Sequence, residues 1–356
     1  MRSALGCASL ANHHDPSRTL MLRTVFVLGL VALAPLLPAQ ETDAPEATEP
    51  VTVSLAPSWK VGDAYALELT KTRQQSQGNR EGKAKGTVTS VQVEVLEEHA
   101  DGYTIGWTLG ESVFIGSETI DKSVVDELAN LFQGSTLQLR TDAFGTPSAL
   151  LNEEEVRAQI DELLERVSEF AIAEGAPPAE MQQVLDATRS MLEGPALSAM
   201  ALKEPQVYYF ACGMQLELGV VQEFEESLPN PFGGAPFPGT TELLLESVDQ
   251  AANSAVLLHR LELDPVQTRR IMLETFTKLA QESGAPAPRA SDLPDFSIVD
   301  ESAYELNLAT GLPRTVTHVR TVSAAGTSQV DRLSFVVIPP AEPEAVPAEE
   351  PAEDDQ

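Results

Sequence analysis

The sequence predicts an α+β fold: a curved antiparallel sheet, open like a half-barrel, covered on one face by helices. Three observations predict it. Apolar residues alternate at a period of two in two long stretches, a middle stretch repeats at three and four, and the helices fall between strand groups in numbers sufficient to cover one sheet face. The 356 residues carry 54 acidic against 23 basic side chains, a net charge of −31, and 42% are apolar. That apolar fraction is enough for a packed core, while the acidic balance excludes the basic face that nucleic acid requires.

Residues 21–40, MLRTVFVLGLVALAPLLPAQ, have the layout of a secretory signal. Arg23 sits beside Met21, an apolar run extends from Val25 to Leu37, and a small residue follows at Ala39, so cleavage is expected after Ala39 or Gln40. The run is broken by Pro35 and falls short of the roughly 20 residues of a spanning helix. The expectation is an exported chain, periplasmic or secreted, with no transmembrane helix in its mature form. Residues 1–20 read as an extension upstream of the true start, and Cys7 there lacks the preceding apolar run of a lipoprotein signal. Cys212 is then the sole mature cysteine, a buried small hydrophobe in Phe210-Ala211-Cys212-Gly213.

Residues 41–50 carry four acids and residues 341–356 seven, with no basic side chain in either. They read as an acidic linker (41–50) and an acidic, Pro-rich disordered tail (339–356) around a folded part at 51–338. That part holds 42 acidic and 20 basic side chains, −22, which favours solubility.

Within 51–338 the elements follow in order. Tyr65, Leu67 and Leu69 alternate with smaller or polar residues, as do Val91, Val93 and Val95, and after Asp101-Gly102 so do Tyr103, Ile105, Trp107 and Leu109. These are antiparallel strands with a hairpin at Asp-Gly. Residues 121–133 place Val124, Val125, Leu128, Leu131 and Phe132 on one face of a short covering helix. Asn152 followed by three Glu is an N-cap, and Val156, Ile160, Leu163, Leu164, Val167 and Phe170 make the helix face. A second helix carries Met181, Val184, Leu185 and Met191 up to Gly194-Pro195, a short third covers 196–203, and alternation returns at Val207, Tyr209 and Met214. Asp264-Pro265 opens another helix, with Asp as cap and Pro in the first turn. Strands at 296–308, 313–322 and 328–338 complete the chain.

The folded part reads as two related halves, 51–204 and 205–338. GTVTSVQVEVLEEHADGYTIGW and GTTELLLESVDQAANSAVLLHR share a Gly-Thr entry, an apolar alternation, an acidic turn and a returning strand. This layout resembles the open half-barrel of periplasmic lipoprotein carriers, which implies a curved sheet that holds acyl chains beneath helices. YELNLATGLPRTVTHVRTVS is also similar to the last hairpin of an uncharacterised secreted bacterial protein family, and that resemblance implies no assigned activity.

Sets of residues that carry chemistry are missing. His99, His259 and His318 lie more than 50 residues apart and share no local helix or strand face, so they read as turn or surface residues with no metal site. Neither a nucleophile elbow nor a Gly-rich phosphate loop is present, so neither catalytic residues nor a cofactor are expected, and the protein is read as no enzyme. Two loops stand out. Lys71, Arg73, Arg80, Lys83 and Lys85 against Glu81 make residues 71–85 locally basic: a solvated hairpin tip, or a contact for an anionic partner or the chain's own tail. Residues 228–239, LPNPFGGAPFPG, offer Phe232 and Phe237 either to the sheet or as a ligand lid or docking tip. The functional expectation is a non-enzymatic exported protein that binds an apolar ligand or a partner segment in its sheet. The alternatives are an envelope scaffold that docks other envelope proteins and a hydrolase with dispersed residues.

Overall fold

The computed structural model describes residues 50–78, 80–116, 130, 132–192, 195–230, 234–284 and 286–339. The strands are β1 (Thr52–Ser54), β2 (Ala64–Gln77), β3 (Arg80–Glu81), β4 (Lys85–His99), β5 (Gly102–Ile115), β6 (Thr136–Thr141) and β7 (Pro147–Leu150). Helices α1 (Glu153–Ala173), α2 (Pro178–Met191) and α3 (Pro195–Tyr208) follow. Then come β8 (Gln215–Glu217), β9 (Val221–Leu228), β10 (Phe237–Asp249), β11 (Ser254–Leu263), α4 (Pro265–Ser283), β12 (Phe296–Asn307), β13 (Leu312–Ala324) and β14 (Thr327–Ile338). One antiparallel sheet runs in the order β7-β6-β5-β4-β2-β14-β13-β12-β11-β10-β9, with β3 on β2. Its ends, β7 and β9, do not pair, so the curved sheet is open, and β1 pairs β8 apart from it.

Alternation decides which face is covered. Leu69, Phe335, Val316, Tyr304, Leu257 and Leu245 are cross-strand partners in a single row over six strands, and all are buried. Leu67, Val91, Val93, Ile105 and Trp107 extend this face. Helix α3 lies on it through Leu197, Ala201, Leu202 and Tyr208. The rings of Tyr208 and Phe335 are 5.5 Å apart, those of Trp107 and Tyr208 6.2 Å, and the Tyr208 hydroxyl donates to the Pro313 carbonyl at 3.0 Å. Burial holds the phenols of Tyr65, Tyr208 and Tyr209 far above their usual pKa, so they stay neutral donors. A second cluster, Phe237, Leu263, Ile271, Met272 and Leu293, packs at the base of α4.

Asp264 caps α4 as expected, accepting from the amides of Val266 and Gln267, with Pro265 in the first turn. Asn152 precedes α1, but its side chain serves β6: Oδ1 accepts from the Gln138 amide and Nδ2 donates to the Thr136 carbonyl. Helix α3 runs to Tyr208 through Pro205, so Val207 is helical and not part of a strand, and Tyr209 falls in the turn after it. Here packing of Leu202 and Tyr208 on the sheet overrides a proline that local preference would place at a boundary. The helix expected at 121–133 lies almost wholly outside the described residues. The turn between β12 and β13 fits its sequence: Gly311 has φ +73°, and a Cβ there would sit 2.4 Å from the Ala56 carbonyl oxygen.

Replacing Phe335, fully buried between Tyr208 and Trp107, by Ala should destabilise the fold by about 3–5 kcal/mol. Urea unfolding followed by tyrosine and tryptophan fluorescence measures this; a loss under about 1 kcal/mol would mean that the aromatic cluster does not organise the sheet.

Candidate functional site

Two residues further along the same strands, the covered face turns polar. One row reads His259, Ser302, His318, Leu333 and Lys71 across β11, β12, β13, β14 and β2. The next reads Asp300, Arg320, Asp331, Arg73 and Lys85 across β12, β13, β14, β2 and β4. Apolar packing resumes beyond them at Leu263 and Ile298 under α4. The sheet therefore holds a polar band between two apolar clusters.

The Ser302 hydroxyl lies 3.2 Å from His259 Nδ1 and 2.9 Å from His318 Nδ1. A hydroxyl has one proton, so it donates to one Nδ1 and accepts from the other, which fixes the imidazoles in opposite tautomers. Burial lowers the pKa of His318 to about 4 and also lowers that of His259, so both rings are neutral at pH 7. Nε2 of His259, whose ring lies 4.6 Å from that of Phe210 in a tilted contact, has no hydrogen-bond partner among the described residues. Asp300 is engaged elsewhere, accepting two bonds from Arg320 at 2.7 and 2.5 Å. No carboxylate hydrogen-bonds to either imidazole among the described residues, so the trio lacks the orienting partner of a serine nucleophile. The two histidines were expected in turns or at the surface. Register overturns that, because β11 and β13 flank β12 and place residues 59 apart on either side of Ser302.

This band opens into a cleft of about 350 Å³ beside α3. Lys71, Arg73, Lys85, Lys203 and Arg320 line it with Glu204 and Asp331. Lys71 pairs with Glu204 at 3.3 Å and Arg73 with Asp331 at 2.6 Å. Burial raises the Asp331 carboxyl pKa, but bonds from Arg73 and Gln329 outweigh it and hold the group below its usual value. The basic segment is thus no single loop tip. Strand β2 runs on to Gln77 and β4 starts at Lys85, so Lys71, Arg73 and Lys85 stand on strand arms facing the band, while exposed Arg80 lies in β3. Lys83, in the connection between β3 and β4, is also exposed. Alternation of Lys71, Arg73 and Lys85 with their neighbours carried the signal, hidden by the polar character of both faces there.

A larger cleft, about 600 Å³, runs along α4. Val266, Met272, Leu273 and Phe296 form its apolar wall, and Arg269 and Arg270 stand on the same helix face. Arg269 is used internally, bonding Asp295 and the carbonyls of Ala290 and Leu293. Phe237 lies fully buried behind this wall with its ring 5.8 Å from that of Phe296. It is the first residue of β10 and packs under α4, so it is no exposed lid; Phe232 lies outside the described residues. On the uncovered face, Val221, Leu244, Leu258 and Ala303 line an apolar groove of about 420 Å³ next to the edge strand β9.

No family model matches the chain, and no curated protein does. Among solved structures it is similar to one described as lipid–protein interactions in lipovitellin, with 10% identity and a TM-score of 0.38 over 81% of this chain. The match takes in 27% of that chain, so this protein spans about a quarter of its length. Among the described residues no helix is long and apolar enough to cross a membrane, and no three His, Cys, Asp or Glu side chains are grouped as metal ligands.

His318 gives a pH signature. Its folded pKa, about 4, lies below the unfolded value near 6.5, so the unfolded chain binds the proton first as pH falls. The neutral ring's stabilisation is complete above pH 6.5 and is lost toward pH 4, by up to about 3 kcal/mol. His318→Gln should show a smaller stability loss between pH 7 and pH 4 than the unmutated protein in parallel urea titrations. Identical losses would mean that His318 titrates normally.

Proposed function

We propose that this protein is an exported, non-enzymatic carrier that binds an apolar chain with an anionic head in the cleft along α4. The carrying observation is the cleft itself: about 600 Å³, a volume usual for ligand sites, with Val266, Leu273 and Phe296 on its wall and Arg270 on the rim. An acyl chain would lie on the wall and its carboxylate would face Arg270, whose neighbour Arg269 is already tied to Asp295. The apolar run at Val25–Leu37 supports export.

A second reading, binding of a partner segment, is favoured by β9. Among the described residues this strand pairs only with β10, which leaves its other edge without a strand partner there, and Val221 and Phe224 are exposed on it. An added strand from a partner would cover the edge and the adjoining groove.

A fluorescent long-chain fatty acid probes the first reading. The double variant Val266→Glu/Arg270→Glu changes exposed positions, so stability should stay within about 0.5 kcal/mol. Probe affinity should fall about tenfold or more, the equivalent of 1.4 kcal/mol. No uptake by the unmutated protein would overturn the carrier reading in favour of the partner segment. Export predicts a second result: N-terminal sequencing of the protein recovered outside the cytoplasm should begin at Gln40 or Glu41, and a chain recovered intact from Met1 in the cytoplasm would refute it.

A further inference from the structure

We infer that the basic cleft beside α3 is a docking site for the chain's own acidic C-terminal segment, Glu342–Asp355. Three observations meet there. The cleft concentrates cations in a chain of net charge −31: Lys71, Arg73, Lys85, Lys203 and Arg320 face two acids on its walls. Those acids and Asp300 are already committed, to Lys71, Arg73 and Arg320. Lys85 and Lys203 are exposed and make no ion pair with a described residue, so the cleft keeps an unmet positive charge.

The segment has the matching chemistry. It carries Glu342, Glu344, Glu349, Glu350, Glu353, Asp354 and Asp355 with no basic residue. It also starts close by, since β14 is a wall of the cleft through Asp331 and Leu333 and ends at Ile338. The return from Ile338 to Leu333 is about 17 Å at strand spacing, whereas the ten or more residues up to Glu349 span about 33 Å when extended.

Tethering favours this occupant over a free anion. A free polyanion must approach against the repulsion of the whole acidic surface, strongest at low salt. A segment joined through β14 is held near the cleft at an effective concentration of the order of millimolar. The contact is electrostatic, so salt weakens it, and a more highly charged anion can displace it.

Zero-length carbodiimide coupling of the full chain tests the docking. Amide bonds between Lys85 or Lys203 and the segment are read by mass spectrometry on the tryptic peptide after Arg332, which contains no acids except those of Glu342–Asp355. The expected result is intramolecular cross-links from these lysines to Glu349–Asp355, reduced about fivefold or more in 0.5 M salt, where the Debye length is only a few Å. Lys71 should couple to Glu204 in the same sample, which verifies the chemistry and the fold. In Lys203→Glu, which leaves Lys85 able to react, the Lys85 cross-links should also fall. Absence of segment cross-links while Lys71–Glu204 couples would overturn the proposal. So would cross-links that form only between molecules, or that join the cleft lysines to Glu41–Glu49 instead.

Discussion

Pairing of β14 with β2 is the constraint on which the rest of the structure depends. Twelve consecutive residues, Thr327 to Ile338, face Gln77 back to Ala66. Without that ladder the sheet would separate into β7-β6-β5-β4-β2 and β14-β13-β12-β11-β10-β9, each with a bare edge. The aromatic cluster spans this seam: Phe335 belongs to one side, Leu69 and Trp107 to the other, and Tyr208 reaches both from α3. Strands so distant in the chain meet only after a large loss of loop entropy, so apolar burial on α3 has to offset it.

The polar band makes that seam specific. A slip of one residue in β14 would turn Leu333 and Phe335 to the open face and leave Arg73 and Arg320 without Asp331 between them. The exposed Arg73–Asp331 pair adds little net stability, whereas breaking the pair of Arg320 with buried Asp300 in a misregistered alternative leaves a buried charge unpaired and is costly. Ser302 has the same effect between β11 and β13, since its hydroxyl satisfies both imidazoles only in the native register. We read the band as a device that selects one pairing among the many that apolar alternation alone would allow.

These roles explain what could be read in advance. The last three strands were legible almost to the residue, because Gly311 and the Ala325-Gly326 turn sit between clear apolar alternations. The Asp264-Pro265 helix start was legible because a cap is local chemistry. By contrast, α3 was read too short, since its helical state through Pro205 rests on contacts with strands 97 and 105 residues away in sequence. The arms of the basic hairpin were read as loop for a related reason. Their strand character comes from ladder bonds, β2 to β14 and β4 to β2 and β5, while the local alternation of Lys71, Arg73 and Gln75 with Thr72 and Gln74 has no apolar face. The His259–Ser302–His318 trio needed the strand order, which no spacing in the chain encodes.

The two clefts divide the chemistry of the molecule. On α4, Ile271 and Met272 pack into the second apolar cluster while Val266, Arg269, Arg270, Met272 and Leu273 line the cleft, so a single helix supplies both an anchor and a cleft wall. Because Arg269 holds the Ala290–Asp295 segment against the helix, the cleft keeps a wall independent of any occupant. The second cluster behind that wall, with Phe237 and Phe296 in ring contact, gives the wall a rigid backing instead of open space. The cleft beside α3 is built in the opposite way, from cations: Arg73 and Arg320 pair with acids on neighbouring strands, and Lys71 pairs with Glu204 of α3. The same seam that aligns Leu69 with Phe335 also aligns Arg73 with Asp331, four positions further on.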